Sequence, residues 1–125
     1  MIDTSTFNYK NSRWQDIFAH LKKSGFDVYS PGMKTGECNS PYIVVKNDGS
    51  SKHASFSTDT DFYAVMCYVP RDAYSELEPM IQSVKKAMKE LEPMLFPYET
   101  QTSSYYDDAY KAHMISIEYK NYKKL

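Results

Sequence analysis

The residues able to serve as nucleophile, base or metal ligand are few: His20, His53 and His113, Cys38 and Cys67, and the acidic pairs Asp59/Asp61 and Asp107/Asp108. Transition-metal sites need histidines, cysteines or carboxylates at short fixed spacing, and the three histidines are far apart in the chain. The aspartate pairs offer too few oxygens for a hard cation, so they are expected to be turn or cap residues. A cysteine nucleophile needs a base or a cation that favours its thiolate. Cys38 lies in a loop that could expose it, with Lys34 as the nearest cation in sequence, whereas Cys67 sits inside an apolar run and reads as packing. His20 falls on the polar side of a helix, and His113 reads as a half-buried strand residue. Gly32-Met33-Lys34-Thr35-Gly36 sets a lysine among glycines, yet it has neither the length nor the Gly-Lys-Ser/Thr ending of a phosphate loop. Catalytic residues, metal ligands and cofactors are therefore all expected to be absent.

The chain is rich instead in tyrosine, with twelve in 125 residues. A tyrosine ring is apolar with one hydrogen-bonding tip, which suits a surface that is wet before assembly and covered after it. Tyr42, Tyr63 and Tyr68 fall in strand-like runs and are expected in the core or on a sheet face. Tyr98, Tyr105 and Tyr106 fall in a polar segment, as does Met33 with Lys34, and these five are the candidate protein-interface residues.

The elements that must position them follow from periodicity. Ser12 and Gln15 read as a capping box, and Trp14, Ile17, Phe18 and Leu21 form one helical stripe over about 13–24, closed by Gly25. A short strand is expected at 26–29 and a loop at 31–41. Tyr42 to Lys46 is β-branched and reads as a strand, Asn47-Asp48-Gly49 as a turn, and Phe62 to Val69 as a buried central strand. Ser50 to Thr60 is polar and reads as the end of a hairpin or a mobile stretch. Leu77, Ile81, Val84, Met88 and Leu91 make the stripe of a second helix. That helix starts at a Ser75/Glu78 capping box or nearer Pro79 and is closed by Glu92-Pro93. Residues 97–108 read as a polar loop. In the last strand, about 111–122, His113, Ile115, Ile117 and Tyr119 alternate with Met114, Ser116, Glu118 and Lys120. The expected fold is α/β of the α+β kind, in the order α-β-β-β-α-β, with two helices on one face of a mainly antiparallel sheet.

Bulk properties narrow the function. The length suits one domain over 1–125, with 1–11 a loose N-terminal arm. The formal net charge is −1 and Arg13 and Arg71 are the sole arginines, so the basic footprint of a nucleic-acid binder is missing. No apolar run is long enough to span a bilayer, the N-terminus lacks the pattern of a signal peptide, and two cysteines do not make a disulfide framework. A reducing, cytosolic setting is expected.

Several segments carry a family resemblance: Pro31-Gly32, Gly36-Glu37-Cys38, Ser40 to Lys46, Tyr68-Val69-Pro70 with Tyr74 to Pro79, and Tyr105 to Asp108 with His113 to Ser116. In order and number these resemble the tail terminator proteins of phages and prophages of Gram-positive hosts, also described as tail completion or minor capsid proteins. The resemblance covers about Gly25 to the C-terminus. It implies a small α/β subunit that forms a ring with itself, usually of six copies. Such a ring caps the tail tube, ends its polymerisation and joins the tail to the head connector. Its partners would be its own copies, the tube protein and the connector protein, with no enzyme activity and no cofactor. Its location would be the virion tail, assembled in the bacterial host cytoplasm. Two other readings come from the residues themselves: a small ligand- or peptide-binding module with tyrosines as its pocket, and a small hydrolase using Cys38 or His113.

Overall fold

The computed structural model describes residues 13–52, 58–92 and 95–124. In chain order they form α1 (Arg13–Lys23), β1 (Val28–Tyr29), β2 (Tyr42–Lys52), β3 (Thr58–Pro70), α2 (Leu77–Lys89), β4 (Phe96–Gln101), β5 (Tyr105–Asp107) and β6 (Ala112–Lys124). A 3-10 turn at Tyr74–Glu76 leads into α2. The strands make one six-stranded sheet in the order β1-β2-β3-β6-β4, and β5 pairs with β6 beside β4. Only the β1–β2 pairing is parallel. The fold is thus α+β, with the mainly antiparallel sheet and the one-sided helices that the periodicity predicts.

Both helices pack on the same sheet face. Ile17 and Leu21 of α1 join Leu77, Ile81, Val84 and Met88 of α2, over Val45, Val65, Cys67, Ile117 and Tyr119 of the sheet. Strand alternation accounts for this, because residues two apart share a face. Trp14 anchors α1 by donating its indole N–H to the Val45 carbonyl at 2.6 Å. His20 joins the two helices, with Nε2 2.8 Å from the Ala87 carbonyl and 3.1 Å from Glu90. The helix ends as the sequence predicts: Phe26 N–H donates to Leu21 O, Gly25 N–H donates to Lys22 O, and Gly25 takes φ +101°.

Several local expectations need correction. Asn47-Asp48-Gly49 does not turn the chain. β2 continues through it to Lys52, with a one-residue bulge between the pairs Asn47↔Tyr63 and Ser50↔Asp61. Asn47 Oδ1 accepts the Gly49 N–H at 2.8 Å, and Gly49 supplies the positive φ, so turn chemistry is spent on a bulge. The polar stretch that follows does finish a hairpin, since Ser50 to Lys52 pair with Asp59 to Asp61. Ser75 caps nothing: neither the 3-10 turn nor α2 has a side-chain cap, and Pro79 sits in the first helical turn, where its missing N–H is no loss. α2 ends at Lys89 rather than at Glu92, tightened by bonds from Glu90, Leu91 and Glu92 to the carbonyls of Ala87, Met88 and Lys89. The largest difference is at 97–108, which holds β4 and β5 instead of a plain loop. β6 is thirteen residues long and carries core residues such as Ala112, Ile117 and Tyr119, so its second edge needs hydrogen-bond partners, and two short strands supply them over part of its length. The expected arm at 1–11, the Ser12 cap, His53 and Pro93 lie outside the described residues.

Candidate interaction surfaces

The sheet face away from the helices carries the tyrosines in a cross-strand row. Tyr42 pairs with Tyr68, Tyr68 with Met114, and Met114 with Tyr105, so the row crosses β2, β3, β6 and β5. The Tyr42 and Tyr68 rings stack at 4.8 Å, and Tyr29 and Tyr110 meet them edge-on at 5.8 and 6.3 Å. With Cys38 and Ala112 they form a second small core, on the opposite side of the sheet from the first. Burial pushes the Tyr68 hydroxyl up to about 12 and raises Tyr42 further, so these rings are packing groups that hold their protons.

The 30–41 loop covers that second core as a strap. Cys38 N–H donates to the Tyr110 carbonyl at 2.8 Å, and Met33 N–H donates to Ser30 O at 3.1 Å. Gly32 and Gly36 both take φ +82°, a region that side chains disfavour, and they set the bends around Met33 and Lys34. Lys34 Nζ lies 5.2 Å from the Tyr29 ring centre and 5.6 Å from that of Tyr42. The interface residue Lys34 is therefore partly turned inward, while Met33 at 69% exposure stands out at the tip. Cys38 corrects the sequence reading, because it is buried. Its thiol donates to Ser40 O at 3.3 Å, and burial raises its pKa, an effect that the Ser40 backbone and the charge of Lys34 only partly oppose. The small polar pocket beside it, about 190 Å³, is lined by Arg71, Asp72, Lys111 and their neighbours, with no histidine. A reactive thiolate is disfavoured there.

The other exposed aromatics gather at the β5 edge. Tyr105 and Tyr106 point to opposite faces because they are adjacent in a strand. Tyr105 ends the tyrosine row at 58% exposure, and Tyr106 pairs with His113 at 37%. The His113 ring lies 5.2 Å from that of Tyr106 and 4.7 Å from that of Tyr74, with its Nε2–H donated to the Arg71 carbonyl at 3.0 Å. His113 is thus a spacer between two rings, held by a backbone acceptor. Tyr74, 54% exposed, is an interface candidate that sequence reasoning missed. Its signal was a lone aromatic in the polar turn between Pro70 and the helix. Tyr98 lies in β4, and its side chain is outside the described residues.

Beside Tyr74, a groove of about 390 Å³ runs between α2 and the β6 side of the sheet. Its floor is Ile115 with the buried core residues Leu77 and Ile81, and its walls are mainly polar: Tyr74, Ser75, Glu78, Gln82, Lys85 and Gln101. No group of three or more potential metal ligands occurs among the described residues, and no described helix is long and apolar enough to cross a membrane. No family model matches the chain, and no curated protein matches it.

Proposed function

We propose that the chain is a structural phage assembly protein: a tail terminator subunit that caps the tail tube, ends its polymerisation and joins the tail to the head connector. On this reading it works as a ring of its own copies and catalyses nothing. The observation that carries the proposal is the placement of exposed apolar groups at two unlike, separated surfaces. Met33 stands on the strap that follows β1 and covers β2, while Tyr74 and Tyr106 flank His113 at the β5 edge beyond β6, with Tyr105 on the opposite face of that edge. A closed ring uses heterologous contacts and so requires two different patches on each subunit. The sheet supports the same reading, since the open outer edges of β4 and β5 are short and interrupted, a form that limits indiscriminate edge pairing.

Size-exclusion chromatography with light scattering is the direct test. The chain, 14.5 kDa as a monomer, is expected to give a discrete species several-fold heavier as its concentration rises. Tyr105→Ala combined with Tyr106→Ala should shift that transition to at least about tenfold higher concentration, the effect of losing one interface anchor. If the double variant assembles and caps tubes like the wild type, the β5 edge is not the contact. The groove also favours a second reading, a peptide-binding module, which predicts a monomer at every concentration.

A further inference from the structure

The strap does not lie flush on the sheet. Between them is a pocket of about 230 Å³, walled on one side by Pro31, Gly32 and Lys34 of the strap. Its floor is two rungs of the β2–β3 ladder, Tyr42↔Tyr68 and Val44↔Met66, and Tyr110 borders it as well. Tyr42 and Tyr68 are buried, so their stacked rings close the pocket at one end without offering much free surface. Val44, Met66 and Tyr110 are half-buried, and their outer surfaces are the apolar seat. No helix covers that seat, because α1 and α2 both pack on the other face of the sheet.

Charge narrows what the seat can take. Two lysines, Lys34 and Lys46, line the pocket and no carboxylate does, in a chain whose formal net charge is −1. Lys34 is half-buried, with Nζ over the rings of Tyr29 and Tyr42, and among the described residues no carboxylate lies within ion-pair distance of it. Ring faces replace only part of the hydration that a half-buried ammonium gives up, so an anion beside it gains a charge-assisted hydrogen bond. Gly32 and Gly36, both at positive φ, hold the turn on which Lys34 sits, so its position is set before a ligand arrives. Lys46 stands four residues along β2 from Tyr42, roughly 13 Å at about 3.3 Å per residue. Its pair with Asp48, at 3.9 Å between two side chains that are each more than a third exposed, is weak. Lys46 therefore marks the open end, where it draws an anion in without sharing the group that Lys34 holds. The volume is below the roughly 300–1,000 Å³ of pockets for drug-sized ligands, which leaves room for one ring and its acid group.

We infer that this pocket binds a small aromatic carboxylate, with the carboxylate on Lys34 and the ring against Val44, Met66 and Tyr110. An aromatic body suits the site because the Tyr110 ring and the Met66 sulfur both favour contact with another ring. The site lies within one subunit and needs no second copy, so it is independent of the assembly reading.

Phenylacetate is the probe, with phenylacetamide as its uncharged match and acetate as the acid without the ring. In two-dimensional NMR titrations of the full chain, phenylacetate should give saturable shifts centred on the strap, Val44, Met66 and Tyr110. Phenylacetamide and acetate should each bind at least about tenfold more weakly. Lys34→Met should weaken phenylacetate by about tenfold or more and leave the weak binding of the amide unchanged, whereas Lys34→Arg should keep the preference for the acid. Should Lys34→Met lose the amide as well, Lys34→Arg decides: an acid preference near that of the wild type supports the contact, and its loss overturns it. The inference also falls if phenylacetate gives no saturable shifts at millimolar concentration, if the amide binds as tightly as the acid, or if the shifts centre elsewhere on the chain.

Discussion

Cys38 shows how an apparently reactive residue becomes a structural one. Its loop position and its neighbour Lys34 suggest an exposed thiol with a cation close by. The strap instead folds over the tyrosine row, buries the thiol and gives Lys34 to the ring faces of Tyr29 and Tyr42. Desolvation then raises the thiol pKa, and the smaller effect of Lys34 does not reverse this. Cys38 should therefore react with a maleimide or an aromatic disulfide more slowly than a free thiol at pH 8. Lys34→Ala should speed that labelling about 2–5-fold, because an exposed cation–π contact contributes about 0.5–1 kcal/mol to holding the strap closed. Cys67, fully buried in β3 with its thiol pushed up to about 12, serves as the internal unreactive control. Fast labelling of Cys38 in the wild type would show that the strap does not protect it.

Among the elements, those with a strong internal period were legible and those defined by a neighbour's needs were not. The stripe from Trp14 to Leu21 and the Gly25 stop place α1 to within a residue, and the stripe from Leu77 to Leu91 locates α2, though it runs past the helix end at Lys89. β4 and β5 were missed because their segment holds Pro97, polar residues and no sustained alternation; they are strands because β6 leaves an edge to be paired. The adjacency of Tyr105 and Tyr106 suggested one patch, whereas strand geometry sends the rings to opposite faces. At Asn47-Asp48-Gly49 the residue chemistry was read correctly and its use was not, since a positive-φ glycine serves a bulge as well as a turn. Gly49 isolates that use. No atom lies within 4 Å of where its Cβ would be, so Gly49→Ala meets only the backbone cost of φ +101°. It should destabilise the fold by about 1 kcal/mol in urea unfolding, with no loss of packing. A neutral outcome would mean that the bulge relaxes to another conformation.

Across the whole molecule, the sheet divides the chain into a helical side that is ordinary core and an opposite side that grades from aromatic to ionic. At the aromatic end the strap covers the row. At the other end Lys46, Ala64 and Glu118 are cross-strand neighbours, and the small Ala64 leaves space in which Glu118 reaches Asp48 on the β2 bulge. Ser116 Oγ also donates to Glu118 at 3.4 Å, and Lys46 lies 3.9 Å from Asp48. Desolvation first, and then the hydrogen bond and negative charge of Asp48, push the Glu118 carboxyl up to about 7 against the opposing effects of Ser116 and Lys46. The sign for stability follows directly. Below about pH 4.5, the ordinary value, the carboxyl is protonated in both folded and unfolded chains and costs nothing. Between there and about pH 7 the unfolded chain releases a proton that the folded chain keeps, so this group erodes stability as pH rises, and the loss levels off above 7. Because the carboxyl is only half-buried, solvent screening limits the effect to about 1 kcal/mol. Glu118→Gln keeps a donor toward Asp48 without the charge, so it should raise the melting temperature by a few degrees at pH 8 and leave it unchanged at pH 4. An equal gain at both pH values would assign the effect to packing, and no gain at pH 8 would show that the two carboxylates are held apart by solvent.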